Sequence, residues 1–256
     1  MKKNTHEETR PGQHLITQQP LVDRDYGVVG FDMRLINSKG IWDLSESTVL
    51  SDMEYKRMCC ELLARTSLAI YSATNVNYVG KKSARKRFIS IRRSDLLDIT
   101  LLNNIIRCGE ALAEAGLVLV LVLVLKDEVY VSMSLMGKVK IVKHLYEAKY
   151  AGVKFCCERS INFCEFDGGV MEALNLCDFV LISMRSLSLI STQKARGINF
   201  ELLHERMCAE IESNKVKFIA AEVDSLVCND FARALPFIFF KGGVYNYDLV
   251  APANYL

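Results

Sequence analysis

The chain has 256 residues, of which half are hydrophobic, 24% are charged and only four are proline. This composition excludes a disordered segment, a collagen-like chain and a low-complexity array, and it supplies enough apolar surface for one large domain. The formal net charge of +2 does not call for a nucleic-acid or membrane partner.

The nine cysteines and four histidines contain no CxxC pair and no zinc-like spacing, so no metal site is predicted from them. The odd number and irregular spacing of the cysteines favour reduced thiols in a cytosol over a disulfide framework. The first ten residues are too polar for a signal peptide, and the apolar run 116–125 is shorter than the roughly 20 residues of a membrane-spanning helix. We therefore expect a cytoplasmic protein without membrane contact.

The predicted elements are an opening hairpin followed by repeated strand–helix units. Two short apolar stretches, residues 15–22 and 28–35, flank the turn-rich insert 23–27 and predict the hairpin. Apolar residues at helical spacing predict a helix over 51–67, and Ser94 and Asp95 are candidate caps for a later helix. Further strands are predicted over 88–91, 117–125, 153–157, 179–183, 216–221 and 237–240, and further helices over 101–115, 137–150, 168–176, 200–213 and 229–235.

Short strands that alternate with helices of about 10–15 residues indicate parallel βα construction. With about eight strands, a closed (β/α)8 barrel is the economical arrangement, and a doubly wound open sheet is the alternative. No glycine-rich phosphate loop and no proline-, glycine- or serine-rich linker interrupts the chain. We predict one α/β domain over residues 14–249, between a flexible tail of residues 1–13 and a short tail of residues 250–256.

Five segments carry a resemblance to a known family. They are QPLVDR with VVGFD (19–24 and 28–32), FISI with DLL (88–91 and 95–97), ALNLCDFV (173–180), FIAAEVD (218–224) and FFKG (239–242). In this order they resemble the landmarks of the EAL domain, the bacterial cyclic di-GMP phosphodiesterase barrel, most closely the EAL half of EAL–HDOD proteins. The resemblance implies an α/β fold of the modified TIM-type (β/α)8 class, with an antiparallel first strand that suits the opening hairpin.

Most residues that the family uses for catalysis are replaced here. EAL hydrolysis uses divalent cations held at the strand ends by carboxylates and an asparagine. In the resemblance, Asp32 stands at the position of the signature glutamate, and Ser90 stands at that of the asparagine. The position of the third-strand glutamate falls within residues 119–125, which are all apolar. The family has an arginine four positions after the signature glutamate, and Ile36 stands at that position here.

The second half of the chain departs from the family in the same way. The paired aspartates align with Glu158 and Arg159, or with Cys157 and Glu158 if the register shifts by one residue. In the first alignment Arg159 is a competing positive charge. Asp224 keeps an acid near the end of its strand. The other replacements are Leu181 and Ser183 at the lysine and aspartate of VKID, Ala221 at the glutamate of AE, and Lys241 at a glutamine.

The resemblance therefore leaves remnant ligand-site positions without a complete site. A cation pair needs several converging carboxylates, so we predict no catalytic residue, no metal and no cofactor. The remnant positions are Gln19, Asp32, Ser90, Glu158 and Asp224.

The function that we expect is that of a catalytically inactive, EAL-like regulatory protein. It would act by protein–protein interaction, through stoichiometric contact with one partner, in a bacterial signalling, motility or biofilm pathway. The family often pairs through helices, so a homodimer is a further expectation. Neither cyclic di-GMP nor nucleic acid is an expected partner.

Three other functions stay open at this point. A non-catalytic cyclic di-GMP receptor would use Gln19, Asp32 and Asp224, and a residual phosphodiesterase would release linear product. A polyanion or nucleic-acid binder would use the basic segment 81–93, where no acid occurs between Glu61 and Asp95. The basic residues of this segment are Lys81, Lys82, Arg85, Lys86, Arg87, Arg92 and Arg93.

Overall fold

The computed structural model describes residues 15–37, 40–42, 52–73, 84–124, 127–159, 175–185 and 200–245. The strands of this part are β1 (Leu15–Val22), β2 (Val28–Asn37), β3 (Gly40–Trp42), β4 (Lys86–Ile91), β5 (Val118–Leu123), β6 (Lys154–Arg159), β7 (Phe179–Ser183), β8 (Lys217–Ala221) and β9 (Phe237–Phe240). Its α-helices are α1 (Asp52–Ala73), α2 (Ile99–Glu114), α3 (Glu128–Ser132), α4 (Leu135–Tyr150), α5 (Phe200–Asn214) and α6 (Leu226–Ala234).

Eight strands close into a ring in the order β1-β9-β8-β7-β6-β5-β4-β2, which returns to β1, while β3 extends β2 outside the ring. β1 runs antiparallel to both of its neighbours, and the other neighbours in the ring run parallel. The prediction of a modified TIM-type barrel with an antiparallel first strand is therefore confirmed. The doubly wound alternative is excluded, because a closed ring is not an open sheet.

Apolar side chains fill the inside of the barrel. The ring of Phe179 lies 5.9 Å from that of Phe88 and 6.1 Å from that of Phe239, measured between centroids. β5 contributes Val120 and Val122 to the same buried cluster. All residues from 119 to 123 are buried, as predicted for a strand that is covered on both faces.

The start of α2 differs from the sequence prediction. The side chain of Asp98 accepts hydrogen bonds from the backbone N–H groups of Thr100 and Leu101, at 2.9 and 3.1 Å. Ser94 and Asp95 lie in a short 3-10 helix over residues 93–97 that precedes this cap. The prediction that these two residues cap the helix is therefore wrong, because one extra turn separates β4 from α2.

One pair of cysteines is joined by a disulfide. Cys157 on β6 and Cys177 just before β7 are bonded, with 6.3 Å between their Cα atoms. The prediction of reduced thiols is wrong for this pair, because sequence spacing does not show that these two segments meet. Elsewhere burial raises the pKa of the Cys59 thiol to about 12 and also raises that of Cys108, so both remain protonated and apolar.

Side chains hold the joint between β1 and β9. These two strands share one backbone register pair, Val22 with Phe240. Beside it the Nε of Arg24 donates a hydrogen bond to the carbonyl oxygen of Phe237 at 2.9 Å. In return, Arg233 donates to the carbonyl oxygen of Arg24 at 2.8 Å. Side-chain hydrogen bonds therefore supplement the main-chain pairing where the ring closes.

Gly242 fixes the loop after β9. Its φ is +157°, and a Cβ at this position would overlap the backbone atoms of Val223. We expect Gly242→Ala to lower the free energy of unfolding by about 2 kcal/mol or more, because two loop backbones must move apart. Gly152→Ala is the control: its φ is +82° but its Cβ would meet nothing within 4 Å, so only the backbone strain of about 1 kcal/mol applies. Urea unfolding compares the variants, and equal losses would contradict the prediction.

No helix of the described residues is long and apolar enough to cross a lipid bilayer. The predicted tails, residues 1–13 and 250–256, lie outside the described residues, as does most of the predicted helix 168–176. The domain limits therefore stay predictions.

Candidate functional site

The remnant positions collect in the carboxyl half of the barrel, where parallel strands present their functional side chains. Gln19 on β1 lies directly opposite Asp32 on β2 in the antiparallel register. Ser90 faces the inside of the barrel, because it follows the inward-facing Phe88 by two positions on β4. The structure therefore brings these three side chains to the same end of the barrel.

Asp32 is bound to two cations. Its Oδ2 accepts a hydrogen bond from the Nζ of Lys241 at 2.8 Å and another from the Nη2 of Arg34 at 2.8 Å. Asp32 and Lys241 are both buried, with 2% and 8% of their surface exposed. Lys241 directly follows β9, and Arg34 lies two residues beyond Asp32 on the same face of β2. This ion cluster therefore connects the middle of β2 to the end of β9.

The two cations keep Asp32 ionised. Burial by itself would raise the pKa of this carboxyl group. The ammonium of Lys241 and the guanidinium of Arg34 outweigh burial and hold the pKa below its usual value. Asp32 is therefore a carboxylate at neutral pH although it is buried.

Acid is expected to remove the stability that Asp32 contributes. Because its folded-state pKa lies below the unfolded value of about 3.9, the contribution is complete above about pH 5. It is lost as the pH falls through the folded-state pKa. Between about pH 5 and pH 3 we expect Asp32→Asn to lose less unfolding free energy than the wild type. Urea unfolding at closely spaced pH values measures the difference, and parallel pH profiles would contradict it.

The inward-facing residues of β6 are Cys156 and Glu158. Cys156 lies in the buried cluster inside the barrel, where burial raises the pKa of its thiol. Arg159 points to the outside instead, where its Nη1 lies 3.5 Å from a carboxylate oxygen of Glu210 on α5. The prediction that Arg159 is a competing positive charge at the site is therefore wrong, and the cations beside Asp32 are Lys241 and Arg34.

A second polar cluster lies at the ends of β7 and β8. Glu222 accepts a hydrogen bond from the hydroxyl of Ser183, and it lies 3.7 Å from the guanidinium of Arg185. Arg185 also lies 3.6 Å from Asp224. The backbone N–H of Gly243 donates to Asp224 at 2.8 Å. Both acids are therefore already paired within the chain.

The carboxylates of Asp32, Glu222 and Asp224 do not form a ligand set that suits a divalent cation. Mg²⁺ and Ca²⁺ require several converging oxygen ligands with an excess of negative charge. Asp32 already accepts hydrogen bonds from two cations, and Glu222 and Asp224 share Arg185. In the described ranges no group of three or more acidic, cysteine or histidine side chains could hold a metal ion. Among the described residues, Asp32, Glu222 and Asp224 are therefore each paired with a cation of the chain itself.

The described part of the basic segment, residues 84–93, does not form one surface. Arg85 and Lys86 lie at the amino end of β4, whereas Arg92 and Arg93 follow its carboxyl end. Five strand residues lie between Lys86 and Arg92, which places their Cα atoms about 20 Å apart. Arg87, between them, donates to a backbone carbonyl and packs over an aromatic ring. Lys81 and Lys82 lie outside the described residues.

Arg92 and Arg93 are held by the outer helices. Arg92 donates to Asp95 at 2.7 Å and lies over the ring of Tyr55, 3.9 Å from its centroid. Arg93 is buried over the ring of Tyr130, at 4.0 Å. Both guanidinium groups therefore pack against outer helices and not inside the barrel.

A separate group of cations lies at the amino ends of the strands. The side chain of Lys86 lies at the amino end of the barrel, where its Nζ is 5.2 Å from the ring centroid of Phe239. Burial lowers the pKa of Lys86, and the positive charges of Lys217, Lys154 and Arg85 lower it further. Four basic residues therefore lie near one another at this amino end, where Asp178 pairs with Lys154 at 3.6 Å.

Sequence reasoning identified Asp32 but missed its partners. Arg34 could have been recognised, because residues two positions apart share a face of a strand. Lys241 gives no such local signal, because it lies 209 positions from Asp32 in the sequence. Nothing in the sequence indicates the contact of Glu222 with Ser183, which depends on the pairing of β7 with β8.

No protein-family model and no curated protein sequence matches this chain. Several solved structures do. One is the Bacillus subtilis YkuI protein with an EAL domain, in complex with c-di-GMP and calcium: 14% identity over 95% of this chain and 56% of that one, with a TM-score of 0.63. Another is the EAL enzyme Bd1971 in its cAMP- and cyclic-di-GMP-bound form. It is 12% identical to this chain, the match covers 91% of this chain and 61% of that one, and the TM-score is 0.61. The PaMucR phosphodiesterase in complex with c-di-GMP is 15% identical to this chain. The match covers 91% of this chain and 96% of that one, with a TM-score of 0.58.

These similarities show that the chain has the fold of an EAL domain. They confirm, at the level of the fold, the resemblance carried by the five sequence segments. The chain spans about three fifths of the Bd1971 chain. The closeness to EAL–HDOD proteins stays a prediction.

Proposed function

We propose that this chain is a catalytically inactive, EAL-like regulatory protein that acts by stoichiometric contact with a protein partner. The pathway is a bacterial signalling, motility or biofilm pathway linked to cyclic di-GMP. The observation that carries the proposal is the buried ion pair between Asp32 and Lys241. It puts an ammonium group of the protein against the acid that corresponds to the EAL signature glutamate.

An ammonium group does not perform the chemistry of a metal ion. A divalent cation lowers the pKa of a bound water and coordinates the oxygens of a phosphodiester, whereas Lys241 only donates hydrogen bonds. A metal at Asp32 would have to break the pair with Lys241. Because breaking a buried pair leaves an uncompensated charge, the packing of the barrel opposes metal binding.

The test is a search for both binding and turnover of cyclic di-GMP. The ligand is titrated calorimetrically into the protein with and without Mg²⁺ or Ca²⁺, and linear product is sought after long incubation with Mn²⁺. We expect no binding heat and no linear product, with an active EAL phosphodiesterase as the positive control. Linear product would make the chain an enzyme, and tight binding without turnover would make it a receptor; either outcome overturns the proposal.

Nucleic-acid binding is a different function with its own test. The split of the basic segment supports an expectation of no mobility shift with mixed DNA and RNA at low salt. A shift that disappears with rising salt, and with Arg85→Glu and Lys217→Glu together, would assign the basic amino end to a polyanion.

A further inference from the structure

Exposed apolar side chains follow one another along the outer face of α3 and α4. Val129 and Val131 lie on α3, and Leu135, Met136 and Val139 lie on the first turns of α4. Leu135 and Met136 are 78% and 80% exposed. Single exposed apolar residues are common on soluble proteins, but five between residues 129 and 139 form a patch of the kind that marks an interaction site.

The patch continues to the far end of α4. Ile141 and Leu145 bury the inner face of this helix against the barrel. At helical spacing from Met136, the outer face carries Tyr146, which is half exposed, and Tyr150, which is 91% exposed. Apolar residues on both faces are typical of a helix that is covered on both sides. The inner cover is the barrel of this chain, and the outer cover is not among the described residues.

The outer face also carries lysines. α4 contains four lysines and one glutamate. Lys149 is directed away from this face, to the carbonyl oxygen of Leu176, and α3 adds the exposed Glu128. Lys138 lies over the ring of Tyr130, with its Nζ 5.4 Å from the centroid. Lys143 lies 3.9 Å from Glu147 on the same helix. Lys140 is exposed between the apolar positions. Lysines interleaved with apolar residues favour a surface that is both apolar and acidic.

The face is held rigidly against the barrel. The carboxylate of Asp127 accepts a hydrogen bond from the backbone N–H of Tyr130 at 3.0 Å and another from that of Ser94 at 2.8 Å. The buried ring of His144 hydrogen-bonds through Nδ1 to the carbonyl oxygen of Leu96 at 2.7 Å. A rigid surface loses little conformational entropy when a partner binds, so the patch is preorganised.

We infer that the α3–α4 face binds an acidic, amphipathic helix of a partner protein. The apolar stripe of that helix would pack on Leu135, Met136 and Val139, and its flanking carboxylates would pair with Lys138 and Lys140. Two copies of this face would bring lysines against lysines, so two-fold pairing with a second copy is disfavoured. The inference rests on the proposed function, for which it names the docking surface and the chemistry of the partner.

A model peptide tests this surface. The probe is a labelled helical peptide of about 20 residues, with leucines at i, i+3, i+4 and i+7 and with glutamates and alanines elsewhere. A second peptide has lysines in place of the glutamates. By fluorescence anisotropy at low salt, we expect the wild type to bind the glutamate peptide at least tenfold more tightly than the lysine peptide.

Two variants of the face and one control define the contact. Met136→Asp with Val139→Asp is expected to weaken binding of the glutamate peptide at least tenfold. Lys138→Glu with Lys140→Glu is expected to reverse the preference between the peptides. The control Leu226→Asp changes an apolar position of α6 that is also exposed, and it should leave binding unchanged. Circular dichroism confirms that each variant is folded.

Three outcomes would overturn the inference: equal binding of both peptides, no effect of the two α4 variants, or an equal effect of the α6 control. Concentration-dependent self-association in sedimentation experiments, abolished by the Met136 and Val139 changes, would also overturn it. The occupant would then be a second copy, whose α5 carries four glutamates and one arginine. Production of linear dinucleotide would overturn the proposed function without altering the peptide result, so the two failures are distinguishable.

Discussion

Replacing Lys241 by methionine is expected to lower the free energy of unfolding by about 3 kcal/mol or more. The buried carboxylate of Asp32 would lose the ammonium that lies 2.8 Å away. Arg34 would remain as its cationic partner, but Arg34 is partly exposed to solvent and compensates less. Urea unfolding at neutral pH measures the loss.

A control and a double variant separate the ion pair from other effects of the substitution. Lys143→Met removes a lysine whose side chain is 75% exposed and lies 3.9 Å from Glu147, so it should cost less than about 1 kcal/mol. Asp32→Asn combined with Lys241→Met should cost less than the sum of the single losses, because each residue offsets the burial cost of the other. Equal losses for the Lys241 and Lys143 variants would show that the buried pair does not stabilise the barrel.

Phe179→Ala is expected to produce the other large loss, about 3–5 kcal/mol. Phe179 is buried inside the barrel and contacts the rings of Phe88 and Phe239. Truncation leaves a cavity that strands on opposite sides of a closed ring do not collapse to fill. Urea unfolding and the shift in Tm both report the loss.

Two matched changes give this experiment its scale. Phe179→Leu keeps an apolar side chain of similar volume and should cost less than about 1.5 kcal/mol. Phe231→Ala removes a phenylalanine on α6 that is 38% exposed, and it should cost about 1 kcal/mol. A loss at Phe179 no larger than that at Phe231 would mean that the interior is not packed as described.

The fold was predictable because its main signals are local. The apolar run that forms β5 has the length and the uninterrupted hydrophobicity of a strand covered on both faces. The alternation of such runs with amphipathic helices predicts parallel construction, and the turn-rich residues 23–27 predict the antiparallel start. The cap of α2 was misplaced by one turn, because Ser94 and Asp98 are both residue types that cap helices.

The site was less predictable because its contacts join distant parts of the chain. Asp32 and Lys241 are separated by 209 positions. No local pattern shows that the end of β9 meets the middle of β2. The basic segment shows the reverse case, in which residues close in sequence lie far apart in the structure. The extended strand β4 places Arg85 and Arg93 at opposite ends of the barrel.

The joint between β1 and β9 also has a consequence for strand exchange between copies of this protein. The other joints of the ring have at least three register pairs each, whereas this one has a single pair supported by the guanidinium of Arg24. If the joint opened, the β1–β2 hairpin would present an unpaired edge to the vacant edge of β9 in another molecule, which is the geometry of a domain swap. By joining the first strand to the segment around the last strand within one chain, the hydrogen bonds of Arg24 oppose the opening that such an exchange requires.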